Sequence, residues 1–342
     1  HVGSKNEVRG RTGFAHLFEH LMFNGSQNFD DDYFKATEKL GATTRNGTTN
    51  WDRTNYFQTV PTNGLGTILW LESDRMGHMV EAITQDKLDE QRAVVQNEKR
   101  QGENRPYGKG GEIQYASIYP YSHPYSWTTI GSMEDLNAAT LDDVKEWFKT
   151  YYGASNAVVV VAGDVTVPEV KEKMEHYFGF VPPGPPVTRQ ESWVAKLTGT
   201  HKQVSYDRVP QTMLLKSWNI EGNSTRDTTL LNLAAGVLSS GKSSRLYKRL
   251  VYDEQLVSSV SAYTSTGEIA GTFEITAMIN PGVDEARVDR IITEELEKFR
   301  KKGPSKDELE RVKVQTISSF VRGIEEVGGF GGKSDILASN YI

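Results

Sequence analysis

The chain contains no cysteine. Disulfides, thiolate metal ligands and a cysteine nucleophile are therefore excluded, although the compartment is not fixed by that absence. It also lacks any apolar run of about 18 residues, so no membrane-spanning helix is expected. Basic residues are not in excess: 39 Lys and Arg stand against 45 Asp and Glu, a net charge of −6, with no long basic block. That balance argues against nucleic acid or an anionic membrane as partner. The opening "HVGSKNEV" has neither a start methionine nor a signal-peptide pattern, and it reads as a chain cut in or just after a strand. What remains is a soluble globular composition, 37% hydrophobic and 25% charged, over 342 residues. Such a length predicts two domains.

Helical spacing dominates residues 10–41, where Phe14, Leu17, Phe18, Leu21 and Met22 form a broad apolar face. Residues 42–61 are rich in Thr, Asn and aromatics and read as strand, turn, strand. Helices are predicted over 65–80, 84–104, 140–153 and 166–179, and the unbroken valines of "NAVVVVAGDV", 156–165, predict a fully buried strand. Prolines 182, 183, 185 and 186 then break regular structure. The expected division is a domain over 1–181, a Pro-rich linker over 182–195 and a second domain over 196–342. The second part repeats the same order: a strand-like 202–220, a helix over 224–241, paired strands over 256–279 and two long helices over 284–326. Strands and helices mix without regular βαβ alternation, so the fold class is α+β, with two related domains, each a mostly antiparallel sheet packed with helices.

Within the oily run "GFAHLFEHLMF", residues 13–23, stand His16, Glu19 and His20. Residues i and i+4 share a helix face, so the two imidazoles are neighbours with Glu19 beside them. Two histidines at this spacing can reach one ion, and a catalytic zinc takes a third protein ligand and keeps a position for water. H-x-x-E-H is the inverted zinc-protease motif. The alternative is a pair of histidines hydrogen-bonded on a partly buried helix. Unpaired ionisable groups there would cost several kcal/mol, a cost that a metal removes.

"HVGSKNEVRGRTGFAHLFEHLMFNGS" resembles the active-site region of the pitrilysin/insulysin family of zinc metallopeptidases, which includes the mitochondrial processing peptidase. "LDEQRAVVQNEKRQ", "NGTTNWDRTNYF", "HPYSWTTIGSMEDL" and "NAVVVVAGDV" are similar to later family blocks, so the resemblance covers nearly the whole chain. It implies one half of a clamshell-type peptidase holding one Zn2+ per chain. His16 and His20 would be ligands, Glu98, 78 residues after His20, the third ligand, and Glu19 the general base. Many relatives carry a further glutamate seven residues before the third ligand; here that position is Gln91, at most a hydrogen-bonding neighbour of the ligands. The resemblance also implies an edge strand that pairs with an extended or unfolded peptide, with Asn46, Gly47, Thr48 and Thr49 as the binding residues; taken alone, the stretch is an ordinary hairpin. Tyr56, Asn55 and Trp51 could line that site, or lie in the core as strand aromatics usually do.

The family's substrate-gripping arginine and tyrosine of the second half correspond here to Val251 and Ser258. Their absence points to a complementary two-domain half, fused or as a partner subunit. Bacterial relatives are often exported, which implies a periplasmic location. A silent family member serving as scaffold is the alternative of another class, although such members usually lose a ligand or the base. "GVLSSGKS", 236–243, fits the phosphate-loop pattern, but a helix-like segment precedes it where a strand is required. "VGGFGGKS", 327–334, fails that pattern at Val327 and has no assigned role. His78, His123, His176 and His201 are scattered singly, as surface or core hydrogen-bonders usually are.

Overall fold

The structure, a computed structural model, describes residues 1–341. In chain order its elements are α1 (Phe14–Leu21), α2 (Tyr33–Lys39), β1 (Thr44–Thr49), β2 (Thr54–Thr59), α3 (Leu65–Gly77), α4 (Gln85–Glu103), α5 (Gly110–Ile118), α6 (Met133–Ala138), α7 (Leu141–Tyr151) and α8 (Val167–Phe178). There follow β3 (Thr212–Ile220), α9 (Arg226–Ser239), a π-helical turn at Tyr247–Asp253, β4 (Val257–Thr266), β5 (Gly271–Ile279), α10 (Glu285–Lys302), α11 (Lys306–Gly323) and α12 (Lys333–Tyr341). The class is α+β. Among the described residues no helix is long and apolar enough to cross a membrane.

The chain divides into two compact units. One comprises His1–Asn104, Pro124–Arg189 and the C-terminal stretch from Val321; the other comprises Arg105–His123 and Gln190–Phe320. One break, near residue 190, falls inside the Pro-rich stretch; 105–123 groups with the second unit and the stretch from Val321 with the first. Nothing in the hydrophobic pattern of 105–123 or 321–341 signals which core they join.

In the first unit α1 packs against α4, α7 and β1. An eight-residue helix is marginal alone, so burial must hold it. Phe14, Leu17, Phe18, Leu21 and Met22 are all buried, in one cluster with Leu88 and Val95 of α4 and Val144, Trp147 and Phe148 of α7. Each such large side chain contributes about 1.5–3 kcal/mol. β1 and β2 form an antiparallel pair with Gly47 opposite Tyr56 and Thr49 opposite Thr54.

The second unit centres on an antiparallel sheet of order β3-β5-β4. Phe273, Ile275, Ala277 and Ile279 of β5 are buried in one cluster with Val288, Ile291 and Ile292 of α10. Gly236 in α9 explains its own identity: a Cβ there would lie 2.7 Å from Val312 Cγ1 of α11.

Two strand expectations fail. Residues 157–165 form no strand, and Val159 is 44% exposed, because among the described residues no strand pairs with the segment. The predicted strand over 202–220 begins only at Thr212, where β5 supplies its partner.

Candidate metal centre

The start of α1 is set from a distance. Gly13 precedes the helix with a left-handed backbone, φ +90°, and no side chain to cap it. The Glu7 carboxylate takes that role: Gly13 N donates to Oε2 at 3.0 Å and Ala15 N to Oε1 at 2.9 Å. Trp127 Nε1 donates to Oε2 at 3.0 Å. Two of the helix's otherwise unpaired amides are thereby satisfied. Glu7 is buried, and burial pushes its carboxyl up to about 8 against the pull of those three hydrogen bonds.

With the apolar face of α1 fixed in the core, its opposite face turns His16 and His20 toward α4. Their rings meet edge to face with centroids 4.8 Å apart. Thr84 caps α4 by accepting from Lys87 N at 3.3 Å, and buried Leu88 and Val95 fix its rotation. Glu98 then lies on the exposed side, its Oε2 3.8 Å from His16 Nε2 and 3.5 Å from His20 Nε2. One donor atom from each of His16, His20 and Glu98 lies within 4.8 Å of the other two, and among the described residues no other such group of three occurs. Burial, and secondarily the neighbouring His20, lowers the His16 imidazole to about 4. It is therefore neutral near pH 7, with a lone pair free to bind a cation. Two neutral-capable imidazoles and a carboxylate suit zinc, so the residues fit the metal that the sequence pattern implies.

Glu19 sits beside this cluster but is not part of it. It is 7% exposed, and burial pushes it up to about 7, opposed by the Thr49 hydroxyl and Arg53 and aided by Glu98. Thr49 Oγ1 donates to Glu19 Oε2. A Cβ on Gly47 would lie 3.0 Å from Glu19 Oε1 and 2.9 Å from the Phe23 ring. Gly47 and Thr49 thus face the carboxylate.

Asn46 and Thr48 point to the other face of the hairpin. Thr48 Oγ1 donates to Asn55 Oδ1 at 2.6 Å, and Arg53 Nη1 holds the Thr48 carbonyl at 2.8 Å. On one side β1 pairs with β2; among the described residues no strand pairs with its other edge. Gln91 is buried on α4, and among the described residues no hydrogen bond joins it to His16, His20 or Glu98. Tyr56 is partly buried against the first unit's core, its hydroxyl 2.9 Å from that of Tyr152 and its ring 4.4 Å from the Arg75 guanidinium. Trp51 stacks on Tyr125 at 4.5 Å.

In the second unit Val251 packs at the margin of the core, and Ser258 Oγ donates to Gln211 Oε1 at 3.0 Å. The phosphate-loop pattern starts inside α9, so no strand leads into it. His123 is buried, its Nε2 2.9 Å from Trp193 O, as a core hydrogen-bonder.

Sequence reading missed Glu7 and the packing of the glycine-rich stretch. The first has no motif, only an acidic residue six positions before a glycine. The second lies on the outer face of the hairpin: Phe330 is 6.3 Å from the Phe57 ring, and Asn55 Nδ2 donates to Asp335 Oδ1 at 3.0 Å. Gly329 and Gly331 take left-handed backbone there, φ +78° and +81°.

Residues 1–108 match the insulinase domain of peptidase family M16, and residues 138–316 match the peptidase M16 inactive domain. Zinc protease PqqE of Helicobacter pylori is 29% identical over 350 residues, spanning 100% of this chain and 77% of the relative. The uncharacterized zinc protease YmxG of Bacillus subtilis is 23% identical over 348 residues, 99% of this chain and 82% of the relative. A solved protease from Helicobacter pylori superposes with a TM-score of 0.84 at 28% identity, covering 99% of this chain and 81% of that one. Pitrilysin shares the fold, with a TM-score of 0.71 at 19% identity over 90% of this chain and 34% of its own.

Proposed function

Since the chain belongs to the insulinase-like peptidase family M16, we propose that it is a zinc-dependent endopeptidase or oligopeptidase acting on extended or unfolded peptides. The observation that carries this reading is the convergence of His16, His20 and Glu98 beside a buried carboxylate that the cluster leaves uncommitted. His16, His20 and Glu98 hold the metal. When bound, zinc supplies Lewis acidity toward a water and the scissile carbonyl. Glu19 accepts a proton from the attacking water as the water oxygen bonds to the carbonyl carbon. The same carboxyl returns that proton to the amide nitrogen as the C–N bond breaks, leaving a carboxylic acid, which gives its proton to the released amine. A carboxyl raised to about 7 is suited to both halves of the transfer near neutral pH.

The peptide adds as a strand to the free edge of β1 over Asn46–Thr49, so that its backbone supplies affinity and its side chains alternate between the two faces. A second two-domain half completes the chamber. The stretch shared with this chain makes up 34% of pitrilysin and 38% of the periplasmic protease PqqL of Escherichia coli, so each of those chains has room for a second such half.

The test is metal analysis together with cleavage of a quenched-fluorescent unfolded peptide, run on the chain alone and with a candidate partner half. One zinc per chain and zinc-dependent cleavage are expected. A chain that takes up no zinc, or a zinc-loaded chain that cleaves nothing in either arrangement, overturns the reading.

A further inference from the structure

We infer that Thr49 is a positioning residue for the base: its hydroxyl fixes the orientation of the Glu19 carboxylate from the strand that receives the substrate. This rests on the peptidase reading above and deepens it. A glutamate has three side-chain torsions, and burial alone does not select among them. Here the carboxylate faces β1. Oε2 accepts the Thr49 hydroxyl hydrogen, and Oε1 lies over Gly47, where an added Cβ would come within 3.0 Å of it.

The ionised carboxylate can only accept, which fixes the direction of that bond. Thr54 Oγ1 lies 3.3 Å from Thr49 Oγ1 and donates its own hydrogen to Val2 O at 2.9 Å. Thr54 thus offers Thr49 no hydrogen, and Thr49 directs its own to the Glu19 Oε2 acceptor. With Oε2 engaged, Oε1 is the oxygen left to take a proton. Gly47, without a side chain, permits the carboxylate to sit this close.

The consequence is a coupling between substrate and base. Thr49 lies on an edge strand whose free side takes the peptide, so the element that aligns the scissile bond also aligns the proton acceptor. Alignment errors of about 1 Å can cost about 100-fold in rate. Losing the hydroxyl is therefore expected to act on turnover rather than on binding.

Thr49→Val removes the hydroxyl at nearly constant shape; Thr49→Ser keeps it. For Thr49→Val a fall in kcat of about 10- to 100-fold is expected, with KM, zinc content and melting temperature close to wild type. Thr49→Ser is expected to recover most of the loss. Unchanged kcat in Thr49→Val, or a loss in Thr49→Ser as large as that in Thr49→Val, overturns the inference. Crystal structures of the zinc-loaded forms give a readout apart from turnover. One Glu19 rotamer is expected in wild type and several in Thr49→Val; an unmoved carboxylate in the variant rejects the positioning role even if peptide cleavage itself is never found. Wild type lacking cleavage while Glu19 responds as expected would fault the peptidase reading and leave the positioning role standing.

Discussion

Selected carboxylates of the two units are held in opposite ways. In the first, Glu7 and Glu19 lie in the interior with no ion pair among the described residues, and burial raises them to about 8 and about 7, at Glu19 against the pull of Thr49 and Arg53. In the second, acids are matched with guanidinium groups: Arg249 bonds Glu254, Glu294 and Glu295, and Arg245 holds Glu308. Glu308 falls to about 2, chiefly through that Arg245 hydrogen bond. Both units build a core from aliphatic and aromatic side chains on helices and antiparallel strands. Ion pairs occur in the first unit as well, Arg75 with Glu72 and Arg11 with Asp143; among the described residues none joins Glu7 or Glu19. Ion pairs neutralise acids for structure, whereas an acid left unpaired in a partly dry site keeps its proton exchangeable near neutral pH. Glu7 and Glu19 lie in the unit that also holds the converging imidazoles.

Removing the exchangeable acid gives the largest expected effect. Glu19→Gln is nearly isosteric, and its amide can still accept the Thr49 hydroxyl, so fold and zinc content are expected to survive. Turnover of an unfolded peptide is expected to drop by about 10³-fold or more. Near-normal turnover would return Glu19 to the status of an ordinary buried acid. Glu98→Gln probes the other side of the cluster. A neutral amide is a poor zinc ligand beside two imidazoles, so zinc affinity is expected to fall by at least about 100-fold. Full zinc occupancy after dialysis against a mild chelator would show that Glu98 does not ligate.

How much of this could be read in the sequence differs by kind of signal. Periodicity located α1, its apolar face and the histidine pair, because a helix fixes the relation of i and i+4 wherever it lies. Glu98 was reachable only through family resemblance, since no local rule links a position on α4 to one on α1. Glu7 was invisible: its role depends on the chain folding back so that its oxygens meet Gly13 N and Ala15 N. Thr49 was expected to touch substrate. The alternation of β1 also turns its side chain and Gly47 inward to Glu19, and turns Asn46 and Thr48 to the other face, which no motif announces. The valines of 157–165 misled because an unbroken apolar run predicts burial only when neighbouring strands are present to bury it.

Glu7 gives an intermediate effect and sharpens the contrast in protonation. In Glu7→Gln one amide oxygen can serve only part of the three-donor set, and the NH2 group meets N–H donors. At low pH the loss is expected to be about 1–3 kcal/mol in denaturant unfolding, with weaker zinc binding because the start of α1 loosens. A carboxyl whose folded value is raised contributes its stability in full below its unfolded value near 4.5, and loses it as pH rises through about 8. The gap between wild type and Glu7→Gln is therefore expected to narrow from pH 4.5 to pH 8. A gap that stays constant, or widens, would mean that Glu7 is ionised throughout and that its three donors outweigh burial.

The smallest effect belongs to the second unit, where the sign reverses. Glu308 accepts from Arg245 Nε at 2.7 Å and from Ser305 N at 2.7 Å. Its folded value lies below the unfolded one, so its contribution is present above about pH 4.5 and disappears as pH falls through about 2. The pair is partly solvent-exposed, and screening reduces its worth to about 1 kcal/mol. Glu308→Gln is expected to lower stability by that amount at pH 7, to match wild type toward pH 2, and to leave peptide turnover and zinc content unchanged. A loss of zinc or turnover in Glu308→Gln would show that the paired charges of the second unit act on the site in the first, and the division between structural and chemical acids would have to be redrawn.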